Sequence, residues 1–461
     1  MMKLSHPRVW GASLWKRLLP AGIRVRKEQI REFSWLAGGQ ALTILLSLIS
    51  IKLVATIGAA EYAKYVLALS VGGMLNLAMY GPMEQGYIRM LFYYGDKPAA
   101  RETYFSSLTQ VLFWCLGILL VVAGVGITLG RLVFAVDVPF AIAAAGMIIV
   151  AATAIPVTGM LGALRLRREI SIIATGERIL FIGFLFSVRW MSPLNATLVL
   201  ACTALSTGFS FIVRLAFFNK QARPREGASV SLSGPERNAL RKEIYSRVVD
   251  YARPFLLWGG ISWVQSNGER WVIEGVMTNA DVGRYGLAAN LVNNSAVLVV
   301  GVLGQFLGPI IFRQFSSSSD AEQRKGKEII RLNTLLTLAV FGSAGIILAL
   351  MGDSIIHFVS NRDFTMNGHI LLLLTFGLGA YYVGQAMSTM GMARNQPGIY
   401  LRPKTISAGI SIVLYYSGCV LWGLTGLVAG LLVANLIYVF LIWRANRRLE
   451  EEFEVHAESI R

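Results

Sequence analysis

Cysteine and histidine are nearly missing from this chain, with 3 and 4 copies in 461 residues. Cys115, Cys202 and Cys419 stand far apart in apolar runs, a pattern that excludes both a disulfide framework and the close spacing of a metal site. The scattered histidines add no ligand cluster, so neither a metal nor a cofactor is expected. No GxxxxGK[ST] phosphate loop occurs, which excludes ATP hydrolysis by the chain itself. Acid is scarce too: 26 Asp and Glu face 43 Lys and Arg, and charged residues make up only 15%. A soluble domain carries about 25% charge, so a large soluble domain is excluded as well. What fills the chain instead is 55% hydrophobic residues and a mean hydropathy of +0.57.

Those values describe an all-α polytopic membrane protein. Apolar runs of spanning length, about 20 residues each, predict twelve transmembrane helices near 34–57, 62–86, 107–130, 138–162, 170–189, 193–217, 253–277, 283–311, 329–351, 368–391, 401–421 and 423–443. Lys and Arg alternate between the connections. The tail before residue 34 holds 8 and alternate connections hold 27, whereas the intervening ones hold only Arg131, Arg189, Arg284 and Arg362. Positive charge is retained on the cytoplasmic side, so both termini are expected in the cytoplasm. Much of the +17 net charge is then topological, and nucleic acid is not an expected partner. The tail around Trp10, Leu14, Trp15 and Leu18 is expected to lie on the membrane surface as a short interfacial helix.

The organisation expected is a basic tail (1–33), an N-lobe of six spans (34–217), a polar linker (218–252), a C-lobe of six spans (253–443) and a second tail (444–461). An internal repeat supports the halves. At an offset of 220 residues, GAAEYAKYVLALS (58–70) aligns with TNADVGRYGLAAN (278–290), matching Glu61 with Asp281, Lys64 with Arg284 and Tyr65 with Tyr285. Six spans return the chain to its starting side, so the two lobes form a parallel repeat about an axis along the membrane normal, as in transporters that rock two lobes around a cavity.

Charges inside spans are costly and mark pathways or internal pairs. Lys52, Arg178 and Arg270 are candidates for a cationic ladder along a cavity between the lobes. The competing reading is that Lys52 and Arg270 reach the interface or pair within the protein, Arg270 with Glu274. Glu84, Glu177, Glu269 and Glu274 are read as charge partners, Glu269 with Lys52 among them, or as sites for a coupling ion. Asn76, Asn290 and Asn294, with Asn293, Gln40 and Gln305, are polar groups that either join helices or face the cavity.

The stretch RPFLLWGGISWVQSNGERWVIEGVMTNADVGRYGLAANLV (253–292) resembles the start of the second lobe in polysaccharide-export flippases of the multidrug/oligosaccharidyl-lipid/polysaccharide superfamily. The resemblance rests on Pro254, Trp263, Glu269–Arg270 and Val282–Gly283–Arg284–Tyr285. Glu269 stands where Asp is usual, and Ala63 takes a common glycine's place in the first-lobe counterpart. The family implies that polyprenyl-diphosphate-linked oligosaccharide is moved from the cytoplasmic to the periplasmic leaflet for O-antigen, capsule or exopolysaccharide. It further implies membrane lipid around the protein, H+ or Na+ as coupling ion, and a polymerase and glycosyltransferases as partners. Two alternatives stand beside it: a multidrug exporter of organic cations in the same superfamily, and a membrane polymerase or ligase. The enzyme would need an exposed catalytic loop, and the short outer connections offer only His357, Arg362 and Asp363.

Overall fold

The computed structural model describes residues 27–460 apart from 96, 135–136, 223–231, 318, 361 and 395. The surface helix expected around Trp10 to Leu18 lies outside the described residues. Regular structure among those described is helical throughout. α1 is Lys27–Ala55. α2 runs Ala59–Leu75, passes through a π turn at Asn76–Tyr80 and continues as Gly81–Tyr94. α3 to α6 are Pro98–Phe134, Val138–Ala163, Arg167–Met191 and Ala196–Ala222. α7 is Gly234–Val276, and α8 repeats the pattern of α2: Asn279–Val292, a π turn at Asn293–Val297, then Leu298–Phe315. α9 and α10 are Asp320–Val359 and Gly368–Ala393. The last helical stretch, Leu401–Ile460, leaves helical geometry at Trp422 and Gly423 and is thereby divided into α11 and α12.

Among the described residues, ten stretches are long and apolar enough to cross a membrane. The stretch Pro397–Glu451 holds two crossings, one on each side of the break at Trp422 and Gly423. α7 is less apolar than these because Ser262, Gln265, Ser266, Asn267, Glu269, Arg270 and Glu274 crowd its second half. With α7 the bundle has twelve crossings in two six-helix lobes, and its least apolar crossing lies at the seam. Several helices overshoot the predicted boundaries, α3 and α9 by about two turns or more at the basic side. There the apolar signal stops while backbone hydrogen bonding continues.

Inside lipid there is no hydrophobic force between helices, so close approach of small residues decides which helices adhere. α2 lies along α7, and its first half also crosses α8. A side chain at Gly259 would run into the Leu77 carbonyl in the π turn, and one at Gly283 into the Ala59 carbonyl. Only hydrogen fits at these two crossings. Two of the three tryptophans of α7 donate across the seam to one serine: Trp263 Nε1 to the Ser70 carbonyl at 2.7 Å and Trp271 Nε1 to Ser70 Oγ at 3.1 Å. On the other flank α1 touches α8 and α9 more sparsely.

The repeat seen in sequence has a structural counterpart at the starts of α2 and α8. Lys64 pairs with Glu61 at 2.5 Å and Arg284 with Asp281 at 3.0 Å, both across three residues. Each pair also ties its helix to a neighbour, Glu61 through the Ala196 amide and Arg284 through the Asp363 carbonyl. Exposed pairs of this kind are worth about 1 kcal/mol or less, so their role is to orient helix starts.

Candidate functional site

The second half of α7 places Ser262, Gln265, Ser266, Glu269, Arg270 and Ile273 on one helical stripe, at steps of three and one. That stripe turns inward, and most of it is buried. It forms one wall of a cavity of about 260 Å³. The other walls are Ala289, Asn293 and Val297 of α8, Leu378, Tyr381 and Tyr382 of α10, and Leu431 and Asn435 of α12. The cavity therefore sits inside the C-lobe, beside the seam.

Arg270 is 7% exposed, its Nε has no hydrogen-bond partner, and it enters no ion pair among the described residues. Glu269, 2% exposed, lies beside Arg270, Tyr285 and Tyr415 with its Oε2 unpartnered. Gln265 donates from Nε2 to Ser407 Oγ and Asn435 Oδ1, both at 3.2 Å, and leaves Oε1 free. Unmatched buried polar atoms cost about 1–3 kcal/mol each. Three such atoms, Gln265 Oε1, Glu269 Oε2 and Arg270 Nε, converge on this one cavity.

Of the three proposed ladder cations, the structure separates Lys52 from the others. Lys52 lies in the last turn of α1, exposed, with Nζ 4.8 Å from the centre of the Phe358 ring on α9. It forms no ion pair with Glu269 among the described residues. Arg178, half-buried on α5, stands within electrostatic reach of Tyr65, and Arg270 within reach of Tyr62. The two tyrosines pack edge to face at 5.7 Å between ring centres. A pair of α2 rings thus lies between a cation of each lobe. Asn290 donates to the Tyr62 hydroxyl at 2.9 Å, and Asn294 Nδ2 donates to the Asn290 carbonyl at 2.9 Å. Asn76 opens the α2 π turn, as Asn293 opens that of α8.

The carboxylates divide. Glu177 accepts from Thr207 at 2.9 Å, Ser210 at 2.7 Å and Arg214 at 2.7 Å. It is a structural partner of α6, not of its sequence neighbour Arg178. Glu274 is not bonded to Arg270; its Oε2 is buried and unpartnered. Glu84 packs against Gly159 of α4, inside the N-lobe. Among the described residues no three His, Cys, Asp or Glu gather as a metal site.

Two buried cations escape sequence reading because they fall at the ends of connections. Arg214 and Lys404 count there as topological charges, yet they are 8% and 1% exposed. Lys404 faces two rings, its Nζ 4.2 Å from the Trp258 centre and 5.9 Å from that of Tyr381. Such contacts return about 2 kcal/mol when desolvated, against several kcal/mol for burying the ammonium. Tyr381 also lines the cavity, so Lys404 stands behind its wall. The aligned Tyr65 and Tyr285 were a visible signal for the aromatic part of the site.

No family's sequence profile and no curated protein sequence matches the chain. Solved structures do. The Vibrio cholerae MATE transporter VcmN in its bent form is 15% identical with a TM-score of 0.60, over 92% of this chain and 98% of that one. The lipid II flippase MurJ in an inward closed conformation is 13% identical at 0.66, over 89% and 87%. A superfamily transporter from Pyrococcus furiosus, described as having a binding pocket of reversed polarity, is 13% identical at 0.66, over 92% and 96%. At these identities the likeness is one of architecture, and this multi-pass membrane protein has the two-lobed fold of the multidrug/oligosaccharidyl-lipid/polysaccharide transporters.

Proposed function

We propose that the chain is a flippase for polyprenyl-diphosphate-linked oligosaccharide, moving it from the cytoplasmic to the periplasmic leaflet of a bacterial inner membrane by alternating access. The observation that carries this reading is Arg270, a buried guanidinium without an ion pair among the described residues, on the wall of a polar cavity. A diphosphate is the kind of group such a cation suits, because the planar fork of Arg matches phosphate oxygens in pairs. Arg178 and Arg270 flank the Tyr62 and Tyr65 rings from opposite lobes, so the headgroup is handed across these rings as the lobes rock. The segments 34–217 and 253–443 act as the rocking lobes, joined by 218–252, and the basic side faces the cytoplasm. The sparse contact of α1 with α8 leaves a path for the prenyl tail, which stays in lipid. Lys52, exposed at the far end of α1, meets the headgroup on release. Glu269, buried and unsatisfied, is the place for a coupling H+ or Na+, with Glu84 its counterpart in the N-lobe.

The second reading is export of organic cations. The buried carboxylates Glu269 and Glu84 favour it, and several structural neighbours are multidrug transporters. Complementation separates the two. In a strain lacking its polysaccharide flippase the chain should restore surface polysaccharide, and Arg270→Ala should abolish that at matched membrane expression while Arg270→Lys retains part. Restored drug resistance without polysaccharide, unaffected by Arg270→Ala, would replace the flippase by the exporter.

A further inference from the structure

α3 is the least covered of the ten long apolar stretches among the described residues, with 6% of its most apolar part buried. A groove of about 1020 Å³ runs along that uncovered face, remote from the α7 cavity. Its lining changes character along its length. Phe113, Trp114, Ile118 and Val122 form an apolar floor, and toward the basic side Gln110 and Arg241 close it, Arg241 supplied by the first turns of α7. Tyr245 of α7 donates to Gln110 at 3.1 Å, holding that end in shape.

Length and charge identify the occupant. Nine residue steps from Phe113 to Val122 rise about 14 Å, close to half of a hydrocarbon core of about 30 Å. The floor therefore fits the chains of one leaflet. At the polar end Arg241 enters no ion pair among the described residues, and its Nε is shut from solvent without a partner. Glu102 also lines this end but is exposed and free to turn outward.

We infer that the groove holds an anionic phospholipid of the leaflet on the basic side, its phosphate on Arg241 and an acyl chain along Phe113 to Val122. The site is independent of what the protein transports. Trp114, 66% exposed on the floor, reports on it. The full chain is placed in phosphatidylcholine vesicles containing a minor fraction of brominated phosphatidylglycerol or brominated phosphatidylcholine. The Trp114 signal is the difference between the chain and its Trp114→Phe variant. Brominated phosphatidylglycerol should quench it more strongly at equal fraction, and Arg241→Gln should lower that preference about fivefold. Gly117→Leu adds bulk where an added Cβ meets nothing and should weaken quenching by both lipids without touching a charge. Equal quenching by the two lipids, or a preference that survives Arg241→Gln, would overturn the site. Displacement of the brominated lipid by a polyprenyl phosphate but not by unlabelled phosphatidylglycerol would assign the groove to a prenyl carrier and overturn it too.

Discussion

Buried cations in this bundle fall into two kinds, and the difference is read from their neighbours. Arg214 is held by Glu177, whose remaining valences are filled by Thr207 and Ser210. Removing one partner of such a pair strands the other, at a cost of about 3–5 kcal/mol. Glu177→Ala should therefore lower the thermal unfolding midpoint of the detergent-purified protein sharply, and adding Arg214→Met should restore most of it. If the double variant is no better than the single one, the pair is not the source of stability. Lys404 is of the other kind, with rings around its ammonium. Lys404→Met should leave the midpoint unchanged or raise it, since a costly ammonium is gone, while transport falls. Unchanged transport would leave Lys404 without a role in the cavity. The candidate site was only partly legible at this scale. Arg270 and Glu269 stand out in sequence as charges in a span, whereas Arg214 and Lys404 hide at helix ends where charge is ordinary. Only the packing of Trp258 and Tyr381 over it reveals that Lys404 is buried.

At the scale of elements, the seam is made by helices that can come close, and that closeness is testable. A Cβ on Gly286 of α8 would stand 3.2 Å from the Val66 Cβ of α2, near the separation of about 3.5–4.5 Å that a disulfide bridges. With Cys115, Cys202 and Cys419 replaced by alanine, Val66→Cys with Gly286→Cys should cross-link on oxidation. The oxidised protein should then stop transporting and recover on reduction. Transport that continues in the cross-linked form would mean that the starts of α2 and α8 do not part during the cycle. Element boundaries were legible wherever apolar runs end in turns, as at the break at Trp422 and Gly423 between the last two predicted spans. The π turns in α2 and α8 were not. Their sequences NLAMY and NNSAV carry no breaker, and an inserted residue in a helix leaves no compositional mark.

For the whole molecule, the alternation of Lys and Arg predicts which way the bundle is threaded. Single cysteines at the exposed positions Asn238 and Glu451 should be shielded from a membrane-impermeant maleimide in intact cells and labelled after permeabilisation. One at Asp363, exposed in the connection between α9 and α10, should react in intact cells. Labelling of Asn238→Cys from outside would invert the orientation and with it the direction of transport. The parallel repeat is a property of the whole chain as well, since the matched ion pairs of α2 and α8 place like ends of both lobes on one side.

By itself the sequence determined the membrane, the number of crossings and the two-fold organisation. These follow from transfer free energy and charge, which are additive along the chain. The tertiary structure alone decided which charges meet. Whether α7 turns Arg270 toward the seam or into the C-lobe depends on helix rotation, and rotation is set by contacts such as Gly259 against Leu77 between residues far apart in sequence. The same contacts separated Lys52 from Arg270, gave Glu177 to Arg214, and placed Tyr62 and Tyr65 between the cations of the two lobes.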